Sequence, residues 1–326
     1  MDKNFIVLIV VVFFILGFSS CQKEGVYKPK ERITSIYYAD SNTDKYLCKK
    51  WNWDKKRLST IDHLDKNGGI GFTEFFKYDD KKRIERIELD GNYYVQYKYN
   101  GNMLETMELY ENNRLEESAT VHNDGEKIDK IEFYNYYYDE YSKSNTKKIS
   151  LLPKHILNKI AAYTEKSKSP TSIEAITFEL TWEGNNVSKT KMYYTYNSED
   201  YDYDENWNPI VTLYKCYEEE TVTYLYDDKI NPFYGFKDLG FIYAYDFGFD
   251  LEYEMEFGNY LSKNNIVSET HIYKDKMVPV NGGAEREYSD TIAVTRIITY
   301  DGKMPTGIIY TIPNDDYTMS VFYEYE

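Results

Sequence analysis

One repeated pattern restricts what this chain can fold into more than any other feature. An aromatic-x-aromatic pair is followed by Asp or Asn, two to four polar turn residues, and an aliphatic residue that opens the next apolar alternation. It reads Trp51-Asn52-Trp53-Asp54 to Leu58, Phe76-Lys77-Tyr78-Asp79 to Ile84, and Tyr97-Lys98-Tyr99-Asn100 to Leu104. A looser copy, Val121-His122-Asn123 to Ile128, comes next. Leu180-Thr181-Trp182 to Val187, Tyr201-Asp202-Tyr203-Asp204 to Ile210, Tyr224-Leu225-Tyr226-Asp227 to Ile230 and Ile298-Thr299-Tyr300-Asp301 to Met304 complete the set. Aromatic and β-branched residues favour strands, and the Asp/Asn/Gly clusters supply tight turns, so each copy specifies a β-hairpin.

The period confirms this. Tyr93, Val95, Tyr97 and Tyr99 share one strand face while Gln96 and Lys98 share the other; Met319, Val321, Tyr323 and Tyr325 repeat the arrangement. Trp53, Tyr78, Tyr99 and His122 stand 25, 21 and 23 residues apart, one hairpin plus its return connection. Alternation with one polar face belongs to antiparallel sheet rather than to βαβ crossovers. The expected fold is therefore all-β: a long antiparallel meander curling into a barrel or a strongly bent sheet. Closure is favoured because so many Tyr-rich strands would otherwise leave edges that aggregate. One segment departs from the pattern. Within 150–166, Leu152, Ile156, Leu157, Ile160 and Ala161 fall on one helical stripe, with Ser150 placed to cap and Pro153 in the first turn, which predicts a helix.

The N-terminus gives a location. Phe5 to Phe18 is an unbroken apolar run of about 21 Å as a helix, too short for the roughly 30 Å hydrocarbon core. It reads as a secretion signal. Ser19-Ser20-Cys21 follows, and the polar stretch from Lys23 to Glu31 lacks apolar periodicity, as a tether would. The expected organisation is a signal peptide over 1–20, Cys21 and a tether over 21–31, and one β-repeat domain over 32–326 carrying the helix. Net charge is −16, from 39 basic against 55 acidic residues, which argues against nucleic acid or an anionic lipid surface as partner.

These residues carry two resemblances. Ser19-Ser20-Cys21 resembles the lipobox of bacterial lipoproteins, with Phe18 where that motif prefers leucine. It implies that Cys21 becomes the acylated N-terminus, anchored in outer-membrane lipid. Gln22-Lys23-Glu24 resembles the short charged signal that sends Bacteroidetes lipoproteins to the outer face of the outer membrane. The aromatic repeat resembles the YD repeats of the RHS family. The layout from about residue 31 onward, with Asn231-Pro232-Phe233-Tyr234 and Leu261 to Ile266, resembles Tyr-rich Bacteroidetes outer-membrane lipoproteins of unknown function. That likeness implies a porin-like antiparallel barrel that is soluble and lipid-tethered, and it implies no activity.

Candidate chemistry is sparse. Asp200, Asp202 and Asp204 alternate as in a calcium loop, since calcium takes six to eight oxygens. However, Glu205 and Val211 occupy places where a helix–loop–helix calcium site needs Gly and Glu, and a solvated hairpin loop is the favoured reading. Cys48 and Cys216 either pair or remain buried thiols, and pairing requires adjacent strands. Four scattered histidines show no metal spacing, and no nucleophile elbow, phosphate loop or dinucleotide fingerprint occurs. No enzyme and no cofactor is expected. Phe233, Tyr234 and Phe236, on a Pro-containing loop, are the candidate ligand contacts, and a plug over a barrel end is the competing role. The sequence thus leads to a non-catalytic, surface-exposed binding lipoprotein for a glycan or protein. A carrier holding a hydrophobic ligand in the lumen is the alternative.

Overall fold

The structure is a computed structural model describing residues 27–40, 43–89, 92–135, 149–152, 175–203, 205–236, 243–244, 257–311 and 318–326. The chain runs β1 (Ile33–Asp40), β2 (Thr43–Asp54), β3 (Arg57–Leu64), β4 (Ile70–Tyr78), β5 (Ile84–Leu89), β6 (Tyr93–Asn100), β7 (Met103–Glu111), β8 (Arg114–Asp124), β9 (Lys127–Asn135) and β10 (Ile149–Ser150). It continues with β11 (Ile176–Glu183), β12 (Asn186–Tyr203), β13 (Pro209–Tyr226), β14 (Tyr243–Ala244), a one-turn helix α1 (Phe257–Leu261), β15 (Ile266–Pro279), β16 (Arg286–Asp301), β17 (Met304–Thr311) and β18 (Thr318–Tyr325). Sixteen of these strands form a closed barrel in meander order, sealed where β1 meets β18, and β10 and β14 pair separately. The antiparallel all-β expectation holds, and of its two forms the chain adopts the barrel.

The inner face is the core. Trp51, Phe76, Tyr97, Val121, Leu180, Tyr224 and Tyr323 point inward and are buried, and these include the first aromatic of several repeats. The outer face carries ion pairs between neighbouring strands: Lys77 with Glu88 at 3.5 Å, Lys98 with Glu108 at 2.6 Å and Lys191 with Glu219 at 2.8 Å.

Except for the Tyr201–Ile210 copy, whose β12–β13 pairing runs unbroken to the turn, each repeat hairpin with both strands in the ladder has a β-bulge at its turn end. Trp53 stands opposite Leu58 and Asn52 opposite Thr60, leaving Ser59 as the extra residue. The same slip occurs at Tyr78/Ile84, Tyr99/Leu104, Asn123/Ile128, Trp182/Val187, Tyr226/Ile266 and Tyr300/Pro305. A bulge turns the strand so that residues three apart share a face. Leu58 and Ile61, Ile84 and Ile87, Leu104 and Met107, and Ile128 and Ile131 are accordingly all buried. The turns beyond demand left-handed backbone, and Gly101 supplies it with φ +62°.

Of the expected helix over 150–166, residues 153–166 lie outside the described residues. Ile149 and Ser150 form β10, and the Ser150 hydroxyl accepts the Leu152 N–H at 3.0 Å, the bond a capping serine makes. Cys48 and Cys216, on β2 and β13, are separate buried free thiols, and burial pushes the Cys216 thiol up to about 11.

Candidate functional site

The two ends of the barrel differ, and the repeat builds one of them. In most copies the second aromatic sits at the bulge and reaches sideways to the carbonyl of the aliphatic residue that opens the neighbouring strand pair. Trp53 Nε1–H donates to Ile33 O (2.8 Å), Tyr78 O–H to Leu58 O (2.6 Å), Tyr99 O–H to Ile84 O (2.8 Å) and Trp182 Nε1–H to Ile128 O (2.7 Å). In the looser copy, Asn123 substitutes its amide and donates to Leu104 O at 2.9 Å. Tyr226 reaches Val187 O and Tyr325 reaches Pro305 O, both at 2.6 Å.

A bulge frees a carbonyl from the ladder, and a buried carbonyl needs a partner. The second aromatic meets that need while its ring covers the barrel end. At Ile33, Leu58, Ile84 and Ile128 the basic residue before the aliphatic completes the unit. Arg32 lies over Trp53 at 5.7 Å, Arg57 over Tyr78 at 5.6 Å, Arg83 over Tyr99 at 4.0 Å and Lys127 over Trp182 at 5.4 Å. The repeat therefore encodes a circumferential clasp.

The same end is plugged by the connection between β13 and β15. The Asn231 amide donates to Ser262 O at 2.9 Å, and its oxygen accepts the Phe233 N–H at 2.9 Å. The Asn265 N–H and Asp227 Oδ1 meet at 3.1 Å, and Tyr300 O–H donates to the same carboxylate. Of the predicted ligand contacts, Phe236 is 1% exposed, its ring 4.2 Å from Tyr27 and 5.1 Å from Trp51. Phe233 packs at 5.8 Å from Tyr323, and Tyr234 is half-buried. Phe236 thus serves the core and offers no open stacking face, a correction to its place among the ligand contacts. Tyr27, 7% exposed, donates its O–H to Pro232 O at 2.7 Å, which fixes where the N-terminal segment enters.

At the opposite end, β12, β13, β15 and β16 outgrow their neighbours. The pairing of β11 with β12 stops at Tyr193, and that of β17 with β16 begins only at Thr295. Ten residues of β12 extend beyond that point, about 33 Å at 3.3 Å per residue, making a four-stranded tongue. The tongue exposes Trp207 (82%), Ile210, Val211, Leu213, Tyr217, Val280 and Tyr288. Asp200 lies on the tongue, 3.0 Å from Arg286, whose guanidinium also stands 5.2 Å from the Tyr214 ring. An Asp200 carboxylate held by a guanidinium is poorly placed to ligate calcium, whereas the Asp202 side chain and all of Asp204 lie outside the described residues. No three His, Cys, Asp or Glu residues among those described are grouped to hold a metal.

Between the two ends, the inner wall carries buried charge. Arg296 on β16 pairs with Glu269 on β15 at 2.6 Å, and Glu220 on β13 meets His271 Nδ1 at 3.0 Å. Across the barrel, His63 meets Glu74 at 2.6 Å and stacks on Phe72 at 3.9 Å. Burial outweighs the Glu74 carboxylate and holds His63 below its ordinary value. Glu117 accepts the Ser150 hydroxyl and the Leu151 N–H at 2.7 Å, tying β10 to the wall.

No family model matches the chain, and no curated protein matches it, so the likeness of the repeat to YD repeats rests on its own residues. Among solved structures, a porin-like protein from Bacteroides vulgatus is similar at 10% identity. The match covers 90% of this chain and 98% of that one, with a TM-score of 0.30. The hypothetical lipoprotein YmcC from Escherichia coli matches at 8% identity over 97% and 96% of the two chains, with a TM-score of 0.11. Likeness at these TM-scores is too slight to inform function, and the barrel is defined by its own strand pairing.

Proposed function

We propose that the chain is a non-catalytic binding lipoprotein, anchored through acylated Cys21 in outer-membrane lipid and facing the cell exterior, which presents the tongue to its ligand. The polarity of the barrel carries this reading. The plugged end takes the N-terminal segment at Tyr27, six residues after Cys21, so an anchor would hold that end within about 20 Å of the bilayer. The tongue then points away. Its exposed Trp207, Tyr217 and Tyr288 offer flat apolar faces with polar edges, which suits stacking on a glycan. The outer ladder of Lys, Glu and Arg suits water and not hydrocarbon, so the anchor rather than the strands attaches the protein.

The alternative, a carrier of a hydrophobic ligand, sits less well with a lumen wall bearing Glu220, Glu269, His271 and Arg296. Glycan-array screening and native mass spectrometry of the purified protein test the choice. Glycan binding that Trp207→Ala abolishes supports the tongue as binding surface. Co-purified lipid with an unaffected Trp207→Ala variant would replace it with the carrier.

A further inference from the structure

We propose that the free edge of β16 in the tongue pairs antiparallel with the same edge of a second copy of this chain. Among the described residues, Arg286 to Thr291 are paired on one side only, with β15, and all six are exposed. Among the described residues no strand pairs with β16 before Thr295. The Thr291 N–H is taken by its neighbour, Asp290 Oδ1, at 2.8 Å, so it points off the β15 ladder. By the two-residue period, the backbone groups of Ser289 and Glu287 point off it as well. Such an edge is a template for another strand.

Charge selects the occupant and the register. A two-fold axis through Tyr288 sets Tyr288 against Tyr288 of the second copy, Glu287 against Ser289, and Arg286 against Asp290, the last pairing made twice by symmetry. Tyr288 then falls at a non-hydrogen-bonded position, where opposing side chains approach most closely and aromatic pairs stack. Asp290 exchanges the Thr291 N–H for the guanidinium opposite, Arg286 exchanges Asp200 of its own chain for that carboxylate, and the Thr291 N–H gains a backbone carbonyl. Moving the axis to Glu287 opposes two glutamates; moving it to Ser289 sets Arg286 against Ile292 and loses both ion pairs. Scattered edge charges guard against pairing, but these complement themselves in one register. Antiparallel pairing stands two barrels end to end with tongues overlapped and plugged ends outermost. For chains anchored as proposed above, the two copies would sit on facing surfaces. The pairing itself does not depend on the anchor.

Cysteine cross-linking of the full-length chain in detergent tests this. Tyr288→Cys should give a covalent dimer on mild oxidation, and Trp207→Cys, more exposed but off the axis, should give little. Adding Asp290→Arg to Tyr288→Cys opposes arginines and should remove the dimer. Mixing that chain with Tyr288→Cys/Arg286→Asp restores opposite charges at both pairings and should recover it. A Trp207→Cys dimer as strong as that of Tyr288→Cys overturns the proposal. So does an Asp290→Arg chain that still cross-links, a mixture that does not recover, or an adduct with a different protein in place of the dimer.

Discussion

If the clasp closes the barrel, removing one hydroxyl from it should cost far more than removing one from the outer wall. Tyr99→Phe deletes the donor 2.8 Å from Ile84 O while keeping the ring under the Arg83 guanidinium. Ile84 is fully buried, so its carbonyl is left without its partner. A lost hydrogen bond that strands a buried acceptor costs about 1–2 kcal/mol. Tyr99→Leu also removes the cation–π contact and much of the ring packing, and should cost about 3 kcal/mol in all. The reference is Tyr94→Phe on the outer face. Tyr94 stacks on Tyr110 at 4.8 Å, but its hydroxyl reaches Asn113 only at 3.5 Å, so the change should stay within about 0.5 kcal/mol. Urea unfolding followed by tryptophan fluorescence and far-UV circular dichroism reads the difference. With a slope near 3 kcal/mol/M, 1–2 kcal/mol lowers the midpoint by roughly 0.3–0.7 M. Tyr325→Phe, at another clasp position on β18, should add independently to Tyr99→Phe. A Tyr99→Phe midpoint no lower than that of Tyr94→Phe would refute the clasp.

Two further outcomes follow from the same geometry. Gly101→Val should destabilise by about 1–3 kcal/mol through backbone conformation alone, because φ is +62° and a Cβ there meets nothing within 4 Å; Lys98→Val, at an exposed strand position, should cost little, and equal urea midpoints would show the turn geometry to be wrong. Burial keeps His63 from taking a proton as readily as it does unfolded, so its contribution is present above pH 6.5 and is lost as pH falls toward the lowered folded value, at no more than about 1.4 kcal/mol per pH unit; His63→Gln should flatten the wild-type decline between pH 7 and 5, and parallel curves would count against it.

Strand type, hairpin boundaries and the need for left-handed backbone at Gly101 were legible because they are local: alternation and turn chemistry lie within ten residues. The purpose of the repeat was not. Tyr99 finds its acceptor 15 residues back and Trp182 finds its own 54 back, and periodicity within one copy says nothing of the neighbour across the ladder. A signal did exist. Leu58 and Ile61, Ile84 and Ile87, and Ile128 and Ile131 break the period of two in the same way, which announces a bulge in each of those copies. Phe236 misled because loop aromatics are as readily turned inward as outward, and only the approach of Tyr27 decides between them. The tongue could have been suspected from the length of the apolar alternation between 186 and 226, nearly twice that of the earlier hairpins.

The central claim is a barrel tethered at its plugged end with the tongue directed outward. Labelling intact cells with a membrane-impermeant maleimide tests it most directly, using Trp207→Cys at the tongue and Lys303→Cys in the β16–β17 turn at the plugged end. The account predicts strong labelling of Trp207→Cys, weaker labelling of Lys303→Cys close to the bilayer, and release of the protein from the membrane fraction when Cys21→Ala is added. A protein that stays in the membrane without Cys21, or whose Lys303→Cys labels while Trp207→Cys is protected, would contradict it.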